Sequence, residues 1–203
     1  MADIIPLKFL KTGGAVLAPS ELNPGDTIPN VYLSAQPPTL YGTYAARPVA
    51  TSVPSGTIYY STDTRECHRV VSGAWAITGF AGNEIGLAES TTVFSTTSTT
   101  PVDVPGLTMT IKVGERPILA TFGASVVATG GAAVTLALVV NGVKRSQVVY
   151  AGTTYLYLTR TCRIGDLAAG SNPTLKLQLS TSAGTATIYG DSGDRPSIEV
   201  VNA

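Results

Sequence analysis

A chain of 203 residues with 44% apolar and only 13% charged side chains has material for one sizeable core or two small ones, and its polar balance rests on Ser, Thr, Gly and Pro. That mixture suits strands and turns rather than helices. Thirteen Lys plus Arg balance thirteen Asp plus Glu, so there is no basic block to neutralise a phosphate backbone, and nucleic acid is not an expected partner.

The N-terminal MADIIPLKFLKTGG opens with an acidic residue, meets Pro6 early and lacks a continuous apolar run. It therefore reads as neither a secretory signal nor a membrane-spanning stretch, and no membrane insertion is expected. Residues 1–53 carry Pro6, Pro19, Pro24, Pro29, Pro37, Pro38 and Pro48 at intervals too short for long regular elements. Ile4, Ile5, Leu7, Phe9 and Leu10, with Val16, Leu17, Ile28, Val31, Tyr32 and Leu33, are too apolar for a solvated linker. An extended arm that attaches by packing those side chains against another chain accounts for both features.

Residues 54–80, which open with PSGTIYYSTDTRECHRVVSGAW, alternate strand-forming runs with turn residues at 61–64 and at Ser72-Gly73. This predicts a small hairpin or three-stranded meander. Residues 81–89 mix glycine with a stretch at 83–88 long enough for one helical turn, and read as a linker.

From residue 90 to 203 a period of two dominates. Leu107, Met109, Ile111 and Val113 alternate with Thr108, Thr110 and Lys112, which marks a half-buried strand. Val134, Leu136, Leu138 and Val140 repeat the pattern, and Asn141-Gly142 then supplies the positive-φ pair of a type I′ turn before the chain returns through 143–150. In 153–164, Leu156, Leu158, Cys162 and Ile164 share one face, while Tyr155, Tyr157, Thr159, Thr161 and Arg163 share the other. Leu175, Leu177 and Leu179, then Ala186 and Ile188, then Ile198 and Val200 complete about eight strands, enough for an antiparallel sandwich. The expected fold class is all-β: extended N-terminal arm, small β-hairpin or meander module and C-terminal antiparallel sandwich, which the resemblance given next makes a jelly roll.

Two resemblances attach to these segments. Gly56-Thr57-Ile58-Tyr59-Tyr60, then Thr62-Asp63-Thr64, then Trp75 resemble a short β-module of phage tail-fibre and appendage proteins, with Arg65 where a Gly usually follows the T-D-T turn. The later part resembles the C1q- and tumour-necrosis-factor-like jelly rolls. Thr99-Thr100-Pro101-Val102-Asp103-Val104-Pro105-Gly106-Leu107, Leu167-Ala168-Ala169-Gly170-Ser171, Gly184-Thr185-Ala186-Thr187-Ile188 and Ser197-Ile198-Glu199-Val200-Val201 carry that likeness. Asp191-Ser192-Gly193-Asp194-Arg195 departs from it as a polar loop. The resemblance implies a trimeric, non-catalytic adhesive or capping head.

Candidate chemistry is sparse. Cys67 and Cys162 lie in different segments and are expected to be free thiols, since two cysteines do not make a disulfide framework. His68, the only histidine, is expected at the surface or in hairpin pairing. A thiol dyad with Cys67 fails because adjacent strand residues point to opposite faces. Gly190-Asp191-Ser192-Gly193 looks like a serine-protease nucleophile loop but has no histidine in a matching context, so it is taken as a turn. Asp191, Asp194 and Glu199 are read as solvated turn acids in preference to calcium ligands. No cofactor and no enzymatic activity are expected.

The expectation is thus a structural component of a bacteriophage virion, a head or tail fibre or a capsid decoration, assembled in the host cytoplasm. Its partners would be itself as a homotrimer, other virion proteins of capsid, collar or tail, and in some settings a host surface glycan. Tyr155 and Tyr157 are the expected oligomer contact, because two rings on a solvent face form a costly patch for a monomer. The alternative is a carbohydrate-binding module that uses exposed Tyr or Trp on a sandwich face and has no structural role in a particle.

Overall fold

The computed structural model describes residues 7–12, 15–21, 37–79, 83–190 and 195–203. The chain divides into a unit Met1–Pro37 and a unit Pro38–Ala203. In the first, β1 (Leu7–Thr12) pairs antiparallel with β2 (Ala15–Glu21), Leu7 opposite Glu21 and Lys11 opposite Val16, with a bulge between Phe9 and Lys11. The expected irregular arm therefore holds a hairpin. Pro19 is tolerated opposite Phe9 because each strand of a two-stranded ribbon is an edge.

The second unit begins with a four-stranded sheet in the order β3 (Thr39–Gly42), β4 (Ile58–Ser61), β5 (Cys67–Val71), β6 (Ala74–Gly79). β4 to β6 form the expected meander. Ser72 (φ 52°) and Gly73 (φ 76°) make its second turn, and Arg65 takes φ 56° where glycine was the usual residue. β3 pairs parallel with β4, which requires the crossover that 43–57 supplies through two 3-10 turns, Tyr44–Ala46 and Ala50–Ser52. Residues 38–53, assigned from their prolines to the arm, thus belong to this small sheet.

The segment expected as a linker contains β7 (Glu84–Glu89), and the helical turn expected at 83–88 does not form. β7 pairs antiparallel with the last strand, β16 (Ser197–Asn202), and a register shift opposite Val200 and Val201 lets Ile85 and Ala88, three apart, both pack on the core while Leu87 faces out. The sandwich continues with β8 (Phe94–Thr96), β9 (Val102–Thr110), β10 (Ile118–Ala128), β11 (Ala133–Val140), β12 (Val143–Ala151), β13 (Leu156–Ile164), β14 (Thr174–Thr181) and β15 (Ala186–Tyr189). One sheet runs β7-β16-β10-β15-β8 with β13 on the free side of β10, and the other runs β12-β11-β14-β9. Most successive strands cross between the sheets, β7 to β8, the β11–β12 hairpin and β15 to β16 excepted, and every pairing in them is antiparallel, which is jelly-roll topology.

Alternation builds the core directly. Leu107, Phe122, Leu136, Leu138, Leu175, Leu177, Leu179, Ile188 and Ile198 are fully buried between the two sheets, each contributing about 1.5–3 kcal/mol. Asn141 and Gly142 take φ 50° and 79°, the type I′ turn expected between β11 and β12. β9 starts earlier than its apolar pattern suggests, at Val102. It bulges at Gly106 (φ 80°), so that Thr108 pairs with Lys176 while Asp103 pairs with Gln178.

Candidate functional site

Two places on the second unit concentrate side chains that the core does not need. The first is the outer face of the β13-β10-β15/β16 sheet. Inward Ala120, Phe122, Ala124 and Val126 leave Leu119, Thr121, Gly123 and Ser125 outward on β10. Register then sets Arg163 beside Leu119, Thr161 beside Thr121, Thr159 beside Gly123 and Tyr157 beside Ser125. Tyr189 flanks Ser125 on the other side.

Tyr155 packs edge-on against Tyr189, ring centroids 4.5 Å apart. Tyr157 leans across Gly123 so closely that a Cβ there would stand 2.7 Å from its hydroxyl. Thr121 and Thr161 share a 2.8 Å hydroxyl hydrogen bond. Tyr155, Leu156 and Tyr157 remain 62%, 45% and 42% exposed. Leu158, Cys162 and Ile164 meet the core as parity requires, whereas Leu156, expected inside, is not part of it. As the first residue of an edge strand, it lies beyond the reach of the facing sheet. Tyr189 escaped notice in the sequence, although the same parity that buries Ala186 and Ile188 turns it outward.

The second place is the joint between the small sheet and the sandwich. β5 and the turn before it alternate, so Glu66, His68 and Val70 share the inward side, and Glu66 and His68 are fully buried. His68 is thus not a surface residue. Pairing with Tyr59 on β4 holds its backbone, and its ring is enclosed by charged groups.

Arg47 Nη1 meets His68 Nδ1 at 2.8 Å, and its Nη2 donates to Glu115 Oε1 at 2.7 Å. Tyr44 Oη donates to the same Glu115 oxygen at 3.0 Å. On the other side of the ring, Nε2 stands 3.3 Å from Glu66 Oε2, an ion contact without hydrogen-bond geometry. The Glu66 carboxylate accepts the backbone N–H groups of Glu115 (3.0 Å) and Arg116 (2.7 Å). Burial alone would raise the Glu66 pKa, but His68 and those two amides outweigh it and hold the carboxyl below its usual range. Gly114 makes the approach possible, since a Cβ there would collide with the carboxyl group. Asn202 Nδ2 closes the joint by donating to Thr64 O at 2.9 Å.

Cys67 and Cys162 are free thiols, and burial pushes the Cys162 thiol up. Cys67 faces away from His68, with its sulfur 3.7 Å from the Thr78 hydroxyl. Among the described residues no group of three His, Cys, Asp or Glu side chains could hold a metal ion. Asp191, Ser192, Gly193 and Asp194 lie outside the described residues, while Glu199 sits exposed on the outer face of β16. Of the expected attachment residues, Ile4 and Ile5 also lie outside the described residues, and Leu7, Phe9 and Leu10 fall in β1. No helix among the described residues is long and apolar enough to cross a membrane.

No family model matches the chain, and no curated protein matches it. Solved structures share the sandwich at low identity. An Eiger TNF from S. frugiperda aligns at 12% identity over 60% of this chain and 94% of its own, with a TM-score of 0.40. The infectious bursal disease virus VP2 subviral particle aligns at 12% identity over 70% of this chain and 48% of its own, at 0.37. The CBM36-1 domain of a multidomain xylanase from the hindgut metagenome of Trinervitermes trinervoides aligns at 14% identity over 57% and 96%, at 0.35. These are likenesses of fold alone.

Proposed function

We propose that this chain is a non-enzymatic structural protein of a bacteriophage particle, a fibre or capsid decoration whose jelly roll associates as a homotrimer. The observation that carries the reading is the outward pair Tyr155 and Tyr157, 62% and 42% exposed at the start of an edge strand, with Tyr189 beside them. An exposed aromatic patch favours a protein partner, and a second and third copy of the same surface satisfy it in a closed ring. Met1–Pro37, a unit of its own, serves in this reading as the attachment segment to other virion proteins.

Light scattering on the full chain tests the assembly. Tyr155→Glu is the variant of choice, since Tyr157 also covers Gly123 within its own subunit. The expected result is a trimer that the substitution converts to a folded monomer. A monomeric wild-type protein, or a variant trimer of undiminished stability, refutes it. Deleting residues 1–37 should leave the sandwich folded and abolish incorporation into particles. Normal occupancy by the shortened chain would refute the attachment role.

A second use of the same rings is favoured by their neighbours. Tyr157 shares the outer face of its strand with the hydroxyls of Thr159 and Thr161, and Tyr155 extends the ring surface beyond them, a pairing of rings and hydroxyls that suits a sugar. Glycan-array binding by a monomeric chain, lost in Tyr155→Ala, would replace the trimer reading with a carbohydrate-binding one.

A further inference from the structure

A guanidinium can only donate hydrogen bonds. Its 2.8 Å contact with His68 therefore fixes Nδ1 as the acceptor and places the ring proton on Nε2, toward Glu66. A second proton can enter the imidazole only at Nδ1, the atom that Arg47 occupies. Protonation would then set an N–H against an N–H and a cation against a cation, within a cluster where His68 is fully buried and the Arg47 side chain is 14% exposed.

We propose that His68 is an acid-operated catch: on protonation it keeps Glu66, expels Arg47 and frees the crossover turns of 43–53 from the joint between the small sheet and the sandwich. The charged and titratable groups around the ring decide the direction. Glu66 is tied by two backbone amides of the 114–116 loop and stays to balance the imidazolium. Glu115, from the same loop, holds Arg47 and Tyr44 at its exposed edge, and Arg116 turns to the carbonyl of Ala203. Tyr59, across from His68 on β4, donates its hydroxyl to Thr43 O, and Asp63 accepts the Tyr44 N–H. An added proton sets a second cation 2.8 Å from the Arg47 guanidinium, and of those two groups Arg47, 14% exposed beside the more open Glu115, is the one that reaches water while the ring is fully buried. Arg47 also lies over the Tyr44 and Trp75 rings at 4.8 and 5.7 Å, and Trp75 Nε1 donates to Pro48 O at 2.8 Å. Departure of the guanidinium therefore disturbs the tryptophan.

The chain has one histidine and one tryptophan, so both ends of the catch can be read without ambiguity in the full-length protein. A long-range proton–nitrogen spectrum near about pH 8 should show the Nε2–H tautomer, with Nδ1 unprotonated. On acidification, Trp75 emission should shift to the red in step with ring protonation, and His68→Gln should lose that transition. The wild-type spectra suffice if the variant does not fold. An Nδ1–H tautomer at neutral pH, a ring that protonates while Trp75 emission stays constant, or a transition that persists unchanged in a folded His68→Gln protein would each overturn the proposal.

Discussion

Replacing Glu66 with alanine removes the carboxylate on which the joint is built, and the cost is set by the groups left without a partner. The N–H groups of Glu115 and Arg116 lose their acceptor, and the Nε2–H of a fully buried His68 loses the carboxylate it faces. Each orphaned buried donor costs about 1–3 kcal/mol. Because the loop amides can recruit some water, we expect a total of about 3–5 kcal/mol, a large part of the roughly 5–15 kcal/mol that holds a domain folded. At about 2–4 °C per kcal/mol for a chain of this size, the midpoint should fall by about 6–20 °C. Urea unfolding followed by Trp75 fluorescence reports the small sheet, and far-UV circular dichroism reports the strands of the sandwich. The fluorescence transition should move to lower urea ahead of the other. A loss under about 1 kcal/mol, the value of an exposed ion pair, would refute the assignment of the cluster as the structural link.

Acid should destabilise the fold for a related reason. Lys176 and Gln178 hold the Asp103 carboxyl below its usual range, and Glu66 is held down as well. Depressed folded-state values give stability that is present at neutral pH and drains away as the pH falls below about 4, through the folded-state values, so the urea midpoint should drop there and level off above. At Gly123, substitution by valine sets a Cβ 2.7 Å from the Tyr157 hydroxyl and 3.0 Å from Leu158 O. The ring must swing out, at a cost of about 1–3 kcal/mol in thermal stability, and an unchanged midpoint would show that Tyr157 does not pack there.

Strand parity was legible in the sequence because one side of each strand had to meet a core: Leu136 and Leu138 on β11, Leu175 to Leu179 on β14 and Ile198 on β16 lie where a period of two put them. The Asn141-Gly142 turn was equally local, since few residue pairs accept two positive φ angles. Tyr155 and Tyr157 followed as the complement of that burial. Residues 38–53 and 84–89 were misjudged because prolines and glycines describe what a segment cannot do alone, while β3 and β7 exist through partners distant in sequence, β4 and β16. Glu66 and His68 shared a parity with Val70 that already pointed inward, yet a carboxylate is stable inside only when donors await it. Those donors, the amides of Glu115 and Arg116, like the guanidinium of Arg47 that meets His68, come from other segments. Local pattern thus determined which way each strand faces. Tertiary structure decided which strands meet and where a buried charge finds its counterpart, because pairing and neutralisation depend on groups that only folding brings within a few ångströms.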